Sequence, residues 1–432
     1  MSNTESLAAY FGHSRRNTAL AWGFVGVLLV SFVGGITSNQ YETALFSAVA
    51  IGVILAPVVA YRDPSVVPPW VFPALISLPI LWGAFVPVTL ATPIIPSVAV
   101  AAIALLLIVE LDRFTTLRLV PWFAVVLTVL STLAMSGLLN ILRWSADMLV
   151  GTAYLLDGRT QDAINAAVMI EFIYATIAGI VAGAVFYWYF HRAASDLSLG
   201  PTVEDEPERV AAERNVEGVV LTDRLGISTR RQRQLVRMMQ FLLVAMLLYG
   251  LWTRQVAVVT NATLGIVVSF IPALLERDYA VTLDPGLVLW ITLAVFLHAL
   301  GTAGLYDAIG TWDHLTHTLS ATVVAAAGYA TLRAIHLHSS PIYLPPWALF
   351  SSLIVFMLAI SVIWEILEFF VDQGALRLDM EPILAQYGIN DTIVDMLFNV
   401  FGAILLATWG TVYLTDVSDS LAAALEERFA DR

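Results

Sequence analysis

Tyr306-Asp307…Trp312-Asp313-His314-Leu315-Thr316-His317, Trp364-Glu365-Ile366-Leu367-Glu368-Phe369-Phe370-Val371-Asp372 and Asn390-Asp391-Thr392-Ile393-Val394-Asp395-Met396-Leu397-Phe398-Asn399 are three polar clusters within the apolar stretch His298 to Asn399. Each stands at one end of a run of about 20 apolar residues, the length that crosses a bilayer core. An ionisable residue at membrane depth costs roughly 2.5 to 3.5 kcal/mol on insertion scales, so three such groups at helix ends mark a site. Residues three and four apart share a helix face. Asp313 and His314 therefore line up with His317, Glu365 with Glu368 and Asp372, and Asp391 with Asp395 and Asn399. Polar stripes of this kind face inward in a helical bundle, and the expectation is that they meet.

The composition around the stretch fixes the class. The chain of 432 residues is 59% hydrophobic, with a mean hydropathy of +0.81, far too apolar for a soluble protein. Cysteine is absent, which removes disulfides, thiolate metal sites and cysteine nucleophiles. All 21 basic residues are arginine, against 34 acids, and the net charge of −13 argues against nucleic acid or anionic partners. Membrane lipids are the expected surroundings, and nothing in the composition specifies a protein partner. An arginine-only, acid-rich chain also suits a high-salt cytoplasm such as that of a halophilic archaeon.

Apolar runs at about 18–37, 42–61, 69–90, 94–110, 119–140 and 165–190 precede a polar segment, and six more follow at about 235–252, 255–275, 286–305, 314–335, 347–371 and 391–414. The expected fold is all-α, a polytopic transmembrane helical bundle of about twelve spans in two six-helix halves. The expected domains are an amino-terminal six-span bundle (1–191), a cytoplasmic acidic and arginine-rich linker (192–234), a second six-span domain (235–415) and a cytoplasmic tail (416–432). Residues 141–166, with Trp144, Met148 and Tyr154, read as a helix lying in the interface. The linker is expected to close with a short amphipathic piece around Arg230–Arg233. Glu171 is the one acid of the first half comparable with those of the second.

Arginine gives the orientation. With both termini cytoplasmic and twelve crossings, 17 of the 21 arginines fall inside and only Arg143, Arg159, Arg254 and Arg377 outside. The chain is thus expected to be a multi-pass protein of the cell membrane, with His298 and the three clusters at one depth near the outer face.

Such a group of carboxylates repels itself strongly at reduced dielectric, so protons or cations must balance it. Asp313, His314, His317 and Asp391 are the expected ligands of a divalent metal (Zn, Mn or Mg). Glu365, Glu368 and Asp395 are the expected proton carriers, with His298, Asp307, Asp372 and Asn399 completing the polar site. Metal-dependent hydrolysis of a lipid or envelope precursor follows from that arrangement. The same residues also fit a proton- or cation-coupled transporter or a non-enzymatic assembly protein. Plainer roles stay open: Asn390 or Asp391 as a helix cap, Asp307 and Asp372 as helix-end acids, His298 as a core histidine.

Phe270-Ile271-Pro272-Ala273-Leu274-Leu275-Glu276-Arg277, Leu297-His298-x-x-Gly301, Tyr306, Asp313-x-x-x-His317, Asp391-Thr392-x-x-Asp395-Met396 and Gly402-Ala403 together resemble the YjdF-type inner-membrane protein family over roughly residues 240–415. Ile393 departs from that pattern, which has glutamine there. The resemblance implies a multi-span membrane domain and no particular reaction. The order of His, Glu and Asp-x-x-x-Asn is more distantly similar to VanZ-like proteins, which are linked to glycopeptide resistance at the cell surface.

Overall fold

The computed structural model describes residues 15–85, 94–195, 227–279, 283–339, 341–384 and 386–410. The acidic part of the expected linker and the 416–432 tail lie outside the described residues. The protein is an all-α helical bundle. Its helices are α1 (Arg15–Thr37), α2 (Tyr41–Tyr61), α3 (Val71–Phe85), α4 (Ile94–Phe114), α5 (Pro121–Val150), α6 (Gln161–Ser195), α7 (Thr229–Thr253), α8 (Val256–Tyr279), α9 (Pro285–Leu300), α10 (Trp312–His338), α11 (Pro346–Arg377) and α12 (Ile389–Leu405). Among the described residues, eleven helical stretches are long and apolar enough to cross a membrane, those of α9 and α12 running on to Ala308 and Thr408, and α3 is shorter. Helix is what the composition dictates, because a chain in hydrocarbon must satisfy every backbone N–H and C=O within itself.

Local sequence sets the ends near the site. Asp284 caps α9, its carboxylate accepting from Gly286 N at 2.7 Å, and Pro285 fills the first turn, where no N–H is needed. Pro346 does the same for α11. Two sequence expectations change. Residues 141–150 are not an interfacial helix but the end of α5, and 161–166 open α6. A helix of 30 residues is about 45 Å long, more than the hydrocarbon needs, so its polar last turns emerge without breaking. Likewise Arg230, Arg231 and Arg233 lie in the first turns of α7 rather than in a separate piece.

The described chain forms two compact units. The first comprises residues 1–136 and 170–200, with a core of Val25, Leu28, Ile54, Ile76, Ile103 and Leu106. In this unit the deeply buried acid is Glu110, at 4% exposure, whereas Glu171 is only half-buried. Glu110 escapes a sequence reading because it stands at the edge of an apolar run and looks like its polar boundary.

The second unit comprises residues 137–169 and 201–432. Its core packs Ala321, Ala325, Ala326 and Tyr329 of α10 against Leu353 and Met357 of α11 and Ala403 of α12. Small residues let these helices approach closely. At Gly402 a Cβ would lie 2.5 Å from the Thr318 carbonyl oxygen and 2.8 Å from the Ala321 Cβ. That close crossing of α10 and α12 brings their polar first turns side by side.

Candidate functional site

The end of α9, the start of α10, the end of α11 and the start of α12 lie at one end of the second unit, around a cavity of about 190 Å³. Its walls include His298, Tyr306, Asp313, His317, Glu368 and Asp395. His314 and Asp391 also line it. The three sequence stripes therefore meet, joined by His298.

The tightest group is Asp313, His317 and Asp395, which can each offer one ligand atom within 4.8 Å of the others. His317 Nε2 lies 3.5 Å from Asp313 Oδ1 and 3.6 Å from Asp395 Oδ2. His317 and Asp395 are buried, at 7% and 4% exposure. Asn399, one turn beyond Asp395, bonds to His317. The set could hold a metal ion, and it takes in Asp395 in addition to Asp313 and His317. His314 points elsewhere: its ring meets Phe398 edge-on at 4.5 Å, and its Nδ1 is buried without a hydrogen-bond partner.

Beside this group, His298 Nδ1 and the Tyr306 hydroxyl share a hydrogen bond of 2.6 Å. The His298 and His317 rings stand 5.5 Å apart, edge to face. The backbone is distorted to build this pair. After α9 the chain kinks over Gly301–Leu305, where Gly304 takes φ 123°. The carbonyl of Leu297 receives the Trp312 indole N–H at 3.0 Å, and that of His298 the Thr302 hydroxyl at 3.2 Å. The kink lays the Tyr306 ring on Gly301, where any Cβ would overlap the ring.

Other expected site residues have structural partners. Asp372 clamps the loop after α11: Oδ1 accepts from Ile383 N and Leu384 N, both at 2.8 Å, and Oδ2 from Gln386 N at 2.9 Å. Asp391 is not a cap on α12: its Oδ2 accepts from Tyr387 N at 2.8 Å, in the loop before the N-cap Gly388, and the residue also faces the cavity. Asp307 is exposed and is not among the cavity walls. Glu365 is fully buried, one helical turn from Glu368, and its Oε2 accepts from Gln386 Nε2 at 3.0 Å.

Gln386 leads to residues that the sequence reading passed over. Its Oε1 accepts from Asn165 Nδ2 at 2.7 Å, and Asn165 Oδ1 accepts from the Thr392 hydroxyl at 3.1 Å. Gln161 Oε1 accepts from Asn390 N at 3.1 Å, and Asn390 Oδ1 from the Trp144 indole at 2.8 Å. The last turns of α5 and the first turns of α6 thus brace the loop and the start of α12. No helical period links residue 165 with residue 386, so only the fold reveals the pair. Tyr306 carried a signal, its spacing after His298 and Gly301, but no role.

Residues 235–416 match the family described as "Predicted membrane protein (DUF2238)". The DUF2238 region covers α7 to α12 with all the cavity walls, and its extent is consistent with the YjdF-type resemblance. Residues 5–67 match a second family, "Domain of unknown function (DUF8268)". No curated protein and no solved structure matches the chain. The VanZ-like similarity gains no support from these matches. Trp144, Gln161 and Asn165, which brace the DUF2238 region, lie outside both matched segments.

Proposed function

We propose that this protein is a membrane-embedded hydrolase that works with one divalent metal ion, held by Asp313, His317 and Asp395, on a lipid or lipid-linked envelope precursor. One observation carries the proposal: a single imidazole nitrogen lies 3.5 and 3.6 Å from two carboxylate oxygens. A hydrogen bond from one N–H would be about 2.7–3.2 Å long and would serve one of them well. Ligands about 2.0–2.2 Å from a tetrahedral ion stand about 3.3–3.6 Å apart. Imidazole with carboxylates favours Zn or Mn over Mg, which prefers an all-oxygen octahedron.

In this reading the bound ion supplies Lewis acidity and a readily ionised water. Glu368, in the same wall, takes the water proton as the water oxygen bonds to the electrophilic carbon or phosphorus. As the bond to the leaving oxygen breaks, Glu368 returns the proton to it. Depth suits a substrate at the headgroups: Glu365 lies about 29 Å along α11 from Pro346, close to the thickness of a hydrocarbon core. With α3 counted as a twelfth crossing, the arginine distribution supports a placement of this end of the bundle at the outer face of the cell membrane, with both termini inside.

Metal content of the purified full chain, by mass spectrometry, tests the proposal. About one ion per chain is expected in the wild type and little in His317→Ala and Asp395→Asn. The loaded protein should release product from a membrane-lipid extract. A folded wild type that takes up no metal would end the hydrolase reading. A proton or cation carrier built on the same carboxylates would then be tested in vesicles.

A further inference from the structure

The Asp313–His317–Asp395 group leaves Tyr306 and His298 without a task, although both face the same cavity. Their arrangement has a structural cost. The kink and the positive φ of Gly304 interrupt the helix, two carbonyls at its end take side-chain donors besides the Gly301 N–H, and residue 301 has no room for a side chain. The result is a phenol held against an imidazole at 2.6 Å, beside the proposed metal ligand His317. A phenol oxygen can donate one hydrogen bond and accept others. If His298 Nδ1–H donates to it, the phenol O–H is free to turn between Thr316, its other neighbour, and the cavity.

The charge of the walls limits what it meets there. Asp313, Glu368, Asp391 and Asp395 line the cavity, and among the described residues no arginine does. Protons and one divalent ion can balance these carboxylates, but the described walls give an anionic headgroup no guanidinium or ammonium to pair with.

We infer that Tyr306, aimed by His298, is the hydrogen-bond donor for the carbonyl oxygen of an uncharged carboxylic ester or amide bound in this cavity. The inference rests on the hydrolase reading. Water adds to the acyl carbon, its proton goes to Glu368, and the carbonyl electron pair moves onto oxygen, which Tyr306 O–H stabilises. Collapse restores the carbonyl and breaks the acyl bond, and the leaving oxygen or nitrogen takes the proton from Glu368. Tyr306 touches the reacting atom, and His298 is a positioning residue.

The test uses the full chain in detergent, loaded with zinc, with p-nitrophenyl butyrate as the neutral probe and p-nitrophenyl phosphate as the anionic one. The ester should be cleaved and the phosphate not. Tyr306→Phe should keep wild-type zinc and melting temperature and lose about 100-fold in kcat, as other oxyanion donors do. His298→Ala should fall similarly, and His298→Asn, whose amide stands where Nδ1 stood, should recover part of the loss. Ester cleavage by Tyr306→Phe at the wild-type rate, or preference for the phosphate, would overturn this inference and leave the metal site standing. A wild type with no zinc, or with zinc and no cleavage of either probe, would overturn the hydrolase reading and this inference with it.

Discussion

Asn165 and Gln386 are 221 positions apart in the chain, and their amides are hydrogen-bonded at 2.7 Å. Gln386 passes the contact on to Glu365, and Asn165 passes it to Thr392. Asn165→Ala strips one buried partner from each of these groups. A buried polar group left unpaired costs about 1–3 kcal/mol, so the variant should unfold earlier by that amount in denaturant. Unchanged stability would show that water replaces the amide at no cost.

The same brace predicts what happens to a shortened protein. A chain of residues 227–432 keeps every cavity wall but loses Trp144, Gln161 and Asn165. It should bind less metal per chain than the full protein at equal detergent and zinc. Equal occupancy would mean that the brace is dispensable for the site.

Asp372 uses two oxygens to accept three backbone N–H groups. Asp372→Asn replaces one oxygen with a donor, which leaves at least one of those groups unpaired. Amide exchange at Ile383, Leu384 and Gln386 should accelerate by about 5- to 150-fold, corresponding to a loss of about 1–3 kcal/mol. Metal content should stay as in the wild type, because Asp372 does not belong to the ligand group.

Gly301 and Tyr306 should behave as a pair. Gly301→Ala forces the Tyr306 ring away and should cost about 1–3 kcal/mol, the usual penalty of overpacking. In a Tyr306→Ala background the same substitution should cost much less. A double-mutant cycle reads this coupling directly, and additive effects would refute the contact.

Acid should strip the metal. Binding requires a neutral imidazole at His317 and ionised carboxylates at Asp313 and Asp395, so protons compete with the ion. Occupancy should be full near neutrality and fall as pH falls, with protons taken up as metal leaves. Equilibrium dialysis across a pH series checks the sign. Occupancy that rises on acidification would be incompatible with this ligand set.

The helices and the meeting of the polar stripes were legible because both depend on short-range periodicity. Asp313 and His317, or Glu365 and Glu368, share a face wherever their helix goes. Which of those residues come closest was not legible: Asp395 lies beside His317 because Gly402 lets α12 press against α10, a contact between distant segments. Asp372 reads as a site acid from its spacing, yet its oxygens are spent on a loop whose path no period encodes. Tyr306 approaches His298 only through the kink at Gly304, which breaks the helical spacing between them.

The Asn165–Gln386 contact also sets a timetable for biogenesis. A ribosome adding about 5–20 residues per second needs about 10–45 s to travel from one amide to the other. Throughout that interval the start of α6 is made while its partner loop is not. An unpaired amide has no place in hydrocarbon, so the nascent α5–α6 end must wait among water and headgroups. It seals only after α11 and α12 arrive, which makes closure of the site one of the last events in the protein's synthesis.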